Sequence, residues 1–171
     1  MFVTESDRLR FKKLNVVAEV SPYLWFNSPG TDELNGCIGR ERMKTYYTIR
    51  SFLQEGILVA AGSDWPSASP SINPWIGLGT MVTRQNPYGE TAEPVLNDEG
   101  VSVTEALMIF TSGGAAVLNK AAHCGSLEVG MSADMAVLDR DIFAIDPADL
   151  IKTVVEMTTF EGKVVYNKSA A

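Results

Sequence analysis

Ile57-Leu58-Val59-Ala60-Ala61-Gly62-Ser63-Asp64-Trp65-Pro66 is the stretch on which the reading of this chain turns. A short apolar run ends abruptly in Gly-Ser-Asp and a chain-turning proline, the pattern of a buried strand that delivers a carboxylate at its C-terminal end. Working back from it, Gly56 stands where a helix C-cap glycine belongs. From Arg40 to Glu55 the residues Met43, Tyr46, Tyr47, Ile49 and Leu53 fall at helical spacing, which predicts one helix of about four turns. Before it, residues 27–39 are rich in turn formers and are expected to be loop, and Val16-Val17-Ala18-Glu19-Val20 reads as a buried strand stopped by Ser21-Pro22. Strand, helix, strand is a βαβ unit, which requires parallel strands and a right-handed crossover. Ligands bind at the carboxyl ends of such strands, so Asp64 is a reactive-site candidate; as a βα-loop aspartate it could equally cap the next turn.

Outward in the other direction, Pro66, Pro70, Pro74, Pro87 and Pro94 exclude long regular helices, leaving short helical turns at Asn73-Pro74-Trp75 and Val82-Thr83-Arg84. Ser102 and Glu105 form a capping box that starts a helix through Thr111, with Val103, Leu107 and Phe110 facing inward and Gly113-Gly114 breaking it before a further helical stretch, Ala115 to Asn119. After Gly125 the pattern becomes β: Met135 to Leu138, then Val154 to Phe160 and Lys163 to Tyr166 around the two-residue turn Glu161-Gly162. At the other end Thr4, with Asp7 three residues on, opens a charged helix to Leu14.

The chain has 171 residues, 46% hydrophobic and 20% charged, with a formal net charge of −7. That suits one ordinary globular domain but falls short of a complete (β/α)₈ barrel, which takes about 250 residues. The negative charge argues against nucleic acid or an anionic membrane as partner. No run approaches the roughly 18–20 apolar residues of a membrane span, and the acidic amino terminus is unlike a signal peptide; a cytoplasmic protein is expected, with an upstream signal left open. Cys37 and Cys124 have no metal or disulfide spacing, and Cys37 has no histidine beside it to make it a nucleophile.

Several segments together resemble the amidohydrolase superfamily, in particular amidohydrolase family 3, whose members include N-substituted formamide deformylases. Leu53 through Asp64 resembles the last barrel strand, and Val103-Thr104-Glu105-Ala106-Leu107 with Thr111 the helix after it. Gly125-Ser126-Leu127-Glu128-Val129-Gly130 through Asp139 resembles the return into the small β-sandwich domain, and Gly162 to Tyr166 its final strand; Asn73-Pro74-Trp75 and Met81-Val82-Thr83-Arg84 fit as well. The fold class implied is α/β: the C-terminal part of a (β/α)₈ TIM-barrel amidohydrolase plus part of its β-sandwich, with barrel units over 1–122 and the sandwich segment over 123–171. Val16 to Val20 is similar to the seventh strand and Met1 to Leu14 to the helix before it, so about three quarters of the barrel would lie outside these residues.

The resemblance also implies an activity, the hydrolysis of C–N, amide-like bonds in a small-molecule substrate by metal-activated water, zinc being the expected metal of the full-length enzyme. Asp64 would be metal ligand and proton shuttle. The family's other ligands are a His-x-His pair, a mid-barrel lysine or acid, and histidines on two middle strands. The single histidine, His123, falls in the link to the sandwich and reads as a loop residue. A catalytic zinc needs about three protein ligands, so the isolated chain is expected to bind no metal and to be silent. After the seventh strand, where the family often has a histidine, stands Ser21-Pro22-Tyr23-Leu24-Trp25. Tyr23, Trp25 and Trp65 are substrate-binding candidates, each with packing as the alternative. Arg84 either pairs a substrate carboxylate or is solvated or salt-bridged, and Asp134 and Asp139 read as turn residues. The reading from another class is a non-catalytic interaction or oligomerisation module: a two-strand barrel piece exposes strand edges, which favours association between copies.

Overall fold

The structure is a computed structural model that describes residues 2–67, 69–89, 95 and 97–170; Met1 and Pro94 lie outside the described residues. Helix α1 (Glu5–Leu14) starts where Thr4 predicts: the Asp7 N–H donates to Thr4 Oγ1 at 3.3 Å, and Asn15 closes the helix in the left-handed conformation (φ 53°). Strand β1 (Ala18–Val20) follows and is shorter than the apolar run, since Val16 stays 44% exposed.

The segment expected to be loop, residues 27–39, contains a ten-residue helix, α2 (Pro29–Ile38). Its start signal is local: Ser28 accepts the Thr31 N–H at 3.3 Å, and Pro29 takes the first helical position, where a missing N–H costs nothing. The single helix expected over Arg40–Glu55 is two, α3 (Arg40–Met43) and α4 (Ile49–Gln54), separated at Tyr47, whose φ is 55°. The physical cause is aromatic packing. Tyr46 and Tyr47 have ring centroids 3.8 Å apart, and Tyr47 stacks on Trp25 at 4.7 Å. Both rings can turn inward only if the helix is interrupted between them and α4.

Strand β2 (Val59–Ala61) pairs with β1 in parallel, Ala18 opposite Val59, Glu19 opposite Ala60 and Val20 opposite Ala61. The parallel pairing expected of a βαβ unit therefore holds. Helix α5 (Pro74–Thr83) joins the two short turns foreseen at its ends: Asn73 caps it by accepting the Trp75 N–H, and Arg84 terminates it at φ 60°. Gly77 seats α5 on the turn at Pro22–Leu24, because a Cβ there would lie 2.8 Å from the Tyr23 ring.

Helix α6 (Val103–Met108) begins with the foreseen capping box, Ser102 accepting the Glu105 N–H and Glu105 accepting the Ser102 N–H at 2.7 Å. Gly113-Gly114 does not break the helix. It continues through a π turn (Ile109–Gly113) into α7 (Gly114–Val117), and Gly113 is needed because this turn lies against the Val59 carbonyl oxygen of β2. Ala106 and Ile109 are the deeply buried residues here, while Val103, Leu107 and Phe110 pack only partly.

The last sheet is antiparallel, β3 (Met135–Leu138), β4 (Val155–Phe160) and β5 (Lys163–Asn167), with β4 central. Glu161 (φ 49°) and Gly162 (φ 76°) form the tight hairpin turn, whose two central residues must both have positive φ. Asp134 accepts the Glu161 N–H at 2.7 Å and Asp139 the Val154 N–H at 2.9 Å, so both act as turn residues. In the main core Ile49, Phe52, Val59, Leu78, Met81 and Ile109 are joined by Ile142 and Leu150 from the C-terminal segment, and Met43, Tyr46 and Val95 form a second, smaller cluster among the described residues. No described helix is long and apolar enough to cross a membrane.

Candidate active site

Beyond β2 the ladder runs one residue further, the Gly62 N–H donating to the Val20 carbonyl at 2.9 Å. Gly62 lies beside the Glu19 carboxylate, a Cβ on it standing 2.9 Å from Oε1, the free end of an exposed side chain. The chain then turns at Asp64, in the left-handed conformation (φ 56°), and the Ser67 N–H closes the turn onto the Asp64 carbonyl at 2.8 Å. Ser63 Oγ accepts the Trp65 N–H at 3.1 Å. The turn is thus held by backbone and by Ser63, and among the described residues no hydrogen bond or ion pair engages the Asp64 carboxylate. The alternative, a carboxylate used up in capping, does not describe this residue.

Asp64 lines a cavity of about 610 Å³ that runs along β1, walled by Val17, Val20, Trp25, Tyr47 and Phe52. Among the described residues its one other carboxylate is Glu19, beside Gly62. An apolar cleft with few polar groups at strand ends is the usual form of a small-molecule site. Trp25, 2% exposed, stands between Tyr47 and the guanidinium of Arg84, which lies 5.5 Å from its ring centre. Arg84 is neither solvated nor salt-bridged among the described residues. It is fully buried, its Nε donates to the Val95 carbonyl at 3.0 Å, and burial pulls its guanidinium down to about 10, the charge of Glu99 opposing the shift. Burial likewise pushes the Tyr47 phenol up, assisted by Tyr46.

Of the aromatic candidates only Trp25 shares the cavity with Asp64. Tyr23 is 3% exposed beneath α5, its hydroxyl donating to the Ile72 carbonyl at 3.2 Å, and burial raises it to about 12. Trp65 is 56% exposed, outside the cavity wall, after a turn in which the Trp65–Pro66 peptide is cis. His123 sits exposed in a turn after Lys120, and Cys37 is exposed on α2 rather than in a loop. Sequence reasoning missed Glu19 and Tyr47 as cavity residues. The alternation Ala18-Glu19-Val20 signals the first; nothing local signals the second. Among the described residues no three His, Cys, Asp or Glu side chains gather to hold a metal, so the residues present do not by themselves fit one.

Residues 1–166 match the family described as the amidohydrolase family. A putative amidohydrolase of Bacillus subtilis, YtcJ, is 34% identical over 132 residues, covering 77% of this chain and 25% of that protein. The N-substituted formamide deformylase of Arthrobacter pascens is 31% identical, with 77% of this chain and 23% of that protein covered. An uncharacterized metal-dependent hydrolase from Pyrococcus furiosus superposes with a TM-score of 0.65 at 26% identity, over 83% of this chain and 27% of its own. One from Pyrococcus horikoshii shares the fold at a TM-score of 0.72 and 24% identity, over 85% and 29%. The chain thus spans about a quarter of the curated relatives it matches. It belongs to the amidohydrolase family, and its architecture is a part of the TIM-barrel fold of these proteins.

Proposed function

We propose that this member of the amidohydrolase family is the C-terminal part of a hydrolase of amide-like C–N bonds in small molecules, with Asp64 as its proton-transferring group. The observation behind the reading is the Asp64 carboxylate itself, placed beyond a parallel strand, uncommitted to any partner among the described residues, and facing a largely apolar cavity. A carboxylate so placed can take a proton from attacking water and return it to the leaving nitrogen, which converts a poor amide leaving group into a neutral amine. Trp25 and Tyr47 give that cavity an aromatic wall against which a substrate's apolar part can rest, and Trp65 stands beside Asp64 on the solvent side. The low polarity of the wall strengthens any charge interaction made there.

The family's activity calls for a divalent metal, zinc first, and this chain provides Asp64 and Glu19 in the cavity without an imidazole. As an isolated polypeptide it therefore lacks the electrophile that an amide requires and is inactive. The test joins this chain to the preceding part of the Bacillus subtilis relative and measures zinc content and amide hydrolysis of the joined protein, its Asp64→Asn variant and the chain alone. The joined protein should hydrolyse, the Asp64→Asn substitution should lower kcat by about 10²–10⁴ with the fold intact, and the chain alone should do nothing. Full activity in the Asp64→Asn variant, or stoichiometric zinc and turnover in the chain alone, sinks the proposal.

A further inference from the structure

Thr48 stands at the head of α4 and is of a residue type that caps helices, yet its side chain makes no capping bond. Its backbone, at φ −80° and ψ 62°, lies outside the extended conformation from which a threonine oxygen reaches the N–H groups of the first turn. That task has passed to a residue far along the chain. Glu99 accepts the Ser51 N–H at 3.2 Å through one carboxylate oxygen and the Ser51 hydroxyl at 2.7 Å through the other. Arg50 ties down the same segment by donating to the Asp98 carbonyl at 3.0 Å. With the cap supplied by Glu99, the Thr48 hydroxyl is free for another use. Thr48 is 5% exposed, and among the described residues its Oγ1 is buried with no hydrogen-bond partner. A buried hydroxyl left in that state forfeits stability, and folded proteins keep few of them.

Thr48 also lines the cavity that Asp64 lines, and of the buried side-chain oxygens and nitrogens in that wall its Oγ1 alone lacks a partner among the described residues. We propose that Thr48 is a substrate-recognition residue, and that the molecule it selects is an amide whose apolar body ends in an uncharged hydrogen-bonding group such as a hydroxyl. The assignment rests on the cavity being the substrate's, as proposed above, and adds the chemistry of the end that is not cleaved. Rotation about one bond, between staggered wells, lets the hydroxyl and the methyl of Thr48 change places at the wall, and it breaks no hydrogen bond because none is made. The apolar body follows from Val17, Trp25, Tyr47 and Phe52, which form the wall between. The absence of charge on its end follows from the same wall. Among the described residues its charged groups are the carboxylates of Asp64 and Glu19, which repel an anion and draw a cation to themselves. A lone neutral hydroxyl compensates neither ion for the loss of water, whereas it pairs fully with another hydroxyl.

The chain itself carries the first test. Thr48→Val removes the hydroxyl and keeps the branched shape, so the thermal midpoint should rise by about 2 °C or more; a midpoint that fails to rise overturns the assignment. The second test is binding. N-acetyltyramine and N-acetylphenethylamine are neutral amides that differ by one hydroxyl at the far end of the apolar body. Titrated into the full chain and followed by tryptophan fluorescence and by amide chemical shifts around Thr48, the first should bind about tenfold more tightly than the second. Thr48→Ser, which retains a hydroxyl, should keep that preference. Thr48→Val should abolish it while leaving the affinity for N-acetylphenethylamine unchanged. Equal affinity of the two amides for the parent chain, survival of the preference in Thr48→Val, or failure of both amides to bind overturns the proposal. The same pair given to the joined protein separates this assignment from the catalytic reading. Hydrolysis of both amides at one kcat/KM leaves the function standing and removes Thr48 from it. A preference in binding that depends on Thr48, with no turnover of either amide, upholds Thr48 and removes the function.

Discussion

Gly113 and Gly114 are adjacent, both helical (φ −61° and −60°), and should respond to alanine with opposite signs. In each, alanine adds a methyl and restricts the unfolded chain, a gain of about 0.5–1 kcal/mol where the methyl has room. At Gly114 nothing lies within 4 Å of the added atom, so Gly114→Ala should stabilise by that amount. At Gly113 the same atom falls well inside contact with the Val59 carbonyl oxygen, with Met108 O at 3.3 Å on the other side. Strand β2 and the π turn must then part by roughly 1 Å, and overpacking of this kind costs about 1–3 kcal/mol or more, because backbone cannot swing aside as a side-chain tip can. Net of the helical gain, Gly113→Ala should lose about 2 kcal/mol. For a chain of this length each kcal/mol moves Tm by roughly 2–4 °C, so the two variants should bracket the parent, one about 4–8 °C below it and the other about 1–4 °C above. Thermal melts by circular dichroism, with urea midpoints at constant slope as a check on two-state behaviour, measure it. Equal stabilisation by both alanines would refute the close approach of the π turn to β2.

Tyr23→Phe removes a buried hydroxyl bonded to Ile72 and should cost about 0.5–1.5 kcal/mol at neutral pH. Because burial raises the Tyr23 phenol from 10 to about 12, its contribution is complete below pH 10 and disappears as pH rises to about 12; the alkaline fall in stability should be shallower in the variant, read from urea midpoints across that window. Ser102→Ala should cost about 1 kcal/mol by removing the cap of α6. The hydrogen bonds from Ser102 hold the Glu105 carboxyl below its ordinary range, so this stability is present above the normal carboxylate pKa and lost as pH falls through the depressed one. Alanine keeps the backbone N–H of residue 102, the larger cause of that lowering, and removes only the hydroxyl, so the acid-induced loss of stability should shrink only in part, and unchanged stability of the variant at neutral pH would refute the capping argument.

The amino-acid sequence on its own determined those features whose physics is complete within a few residues. The caps at Thr4 and at Ser102 with Glu105, the positive-φ turn at Glu161-Gly162, and the delivery of Asp64 at the end of an apolar run all depend on neighbours within about four positions, and all stand where they were read. The start of α2 was equally local, in Ser28-Pro29, but the turn formers that follow it outweighed the cap in the reading. Other features belong to tertiary structure alone. Tyr47 interrupts a helix because Trp25, twenty-two positions earlier, offers a ring to stack on. Gly113 continues a helix that its type would end, because β2 passes within reach of it. Trp65 is exposed, Tyr23 packs under α5 and Trp25 walls the cavity, though all three looked alike as site candidates. Periodicity and capping report on a segment's own backbone, whereas burial is decided by which distant segment arrives on the other side, and no local pattern contains that information.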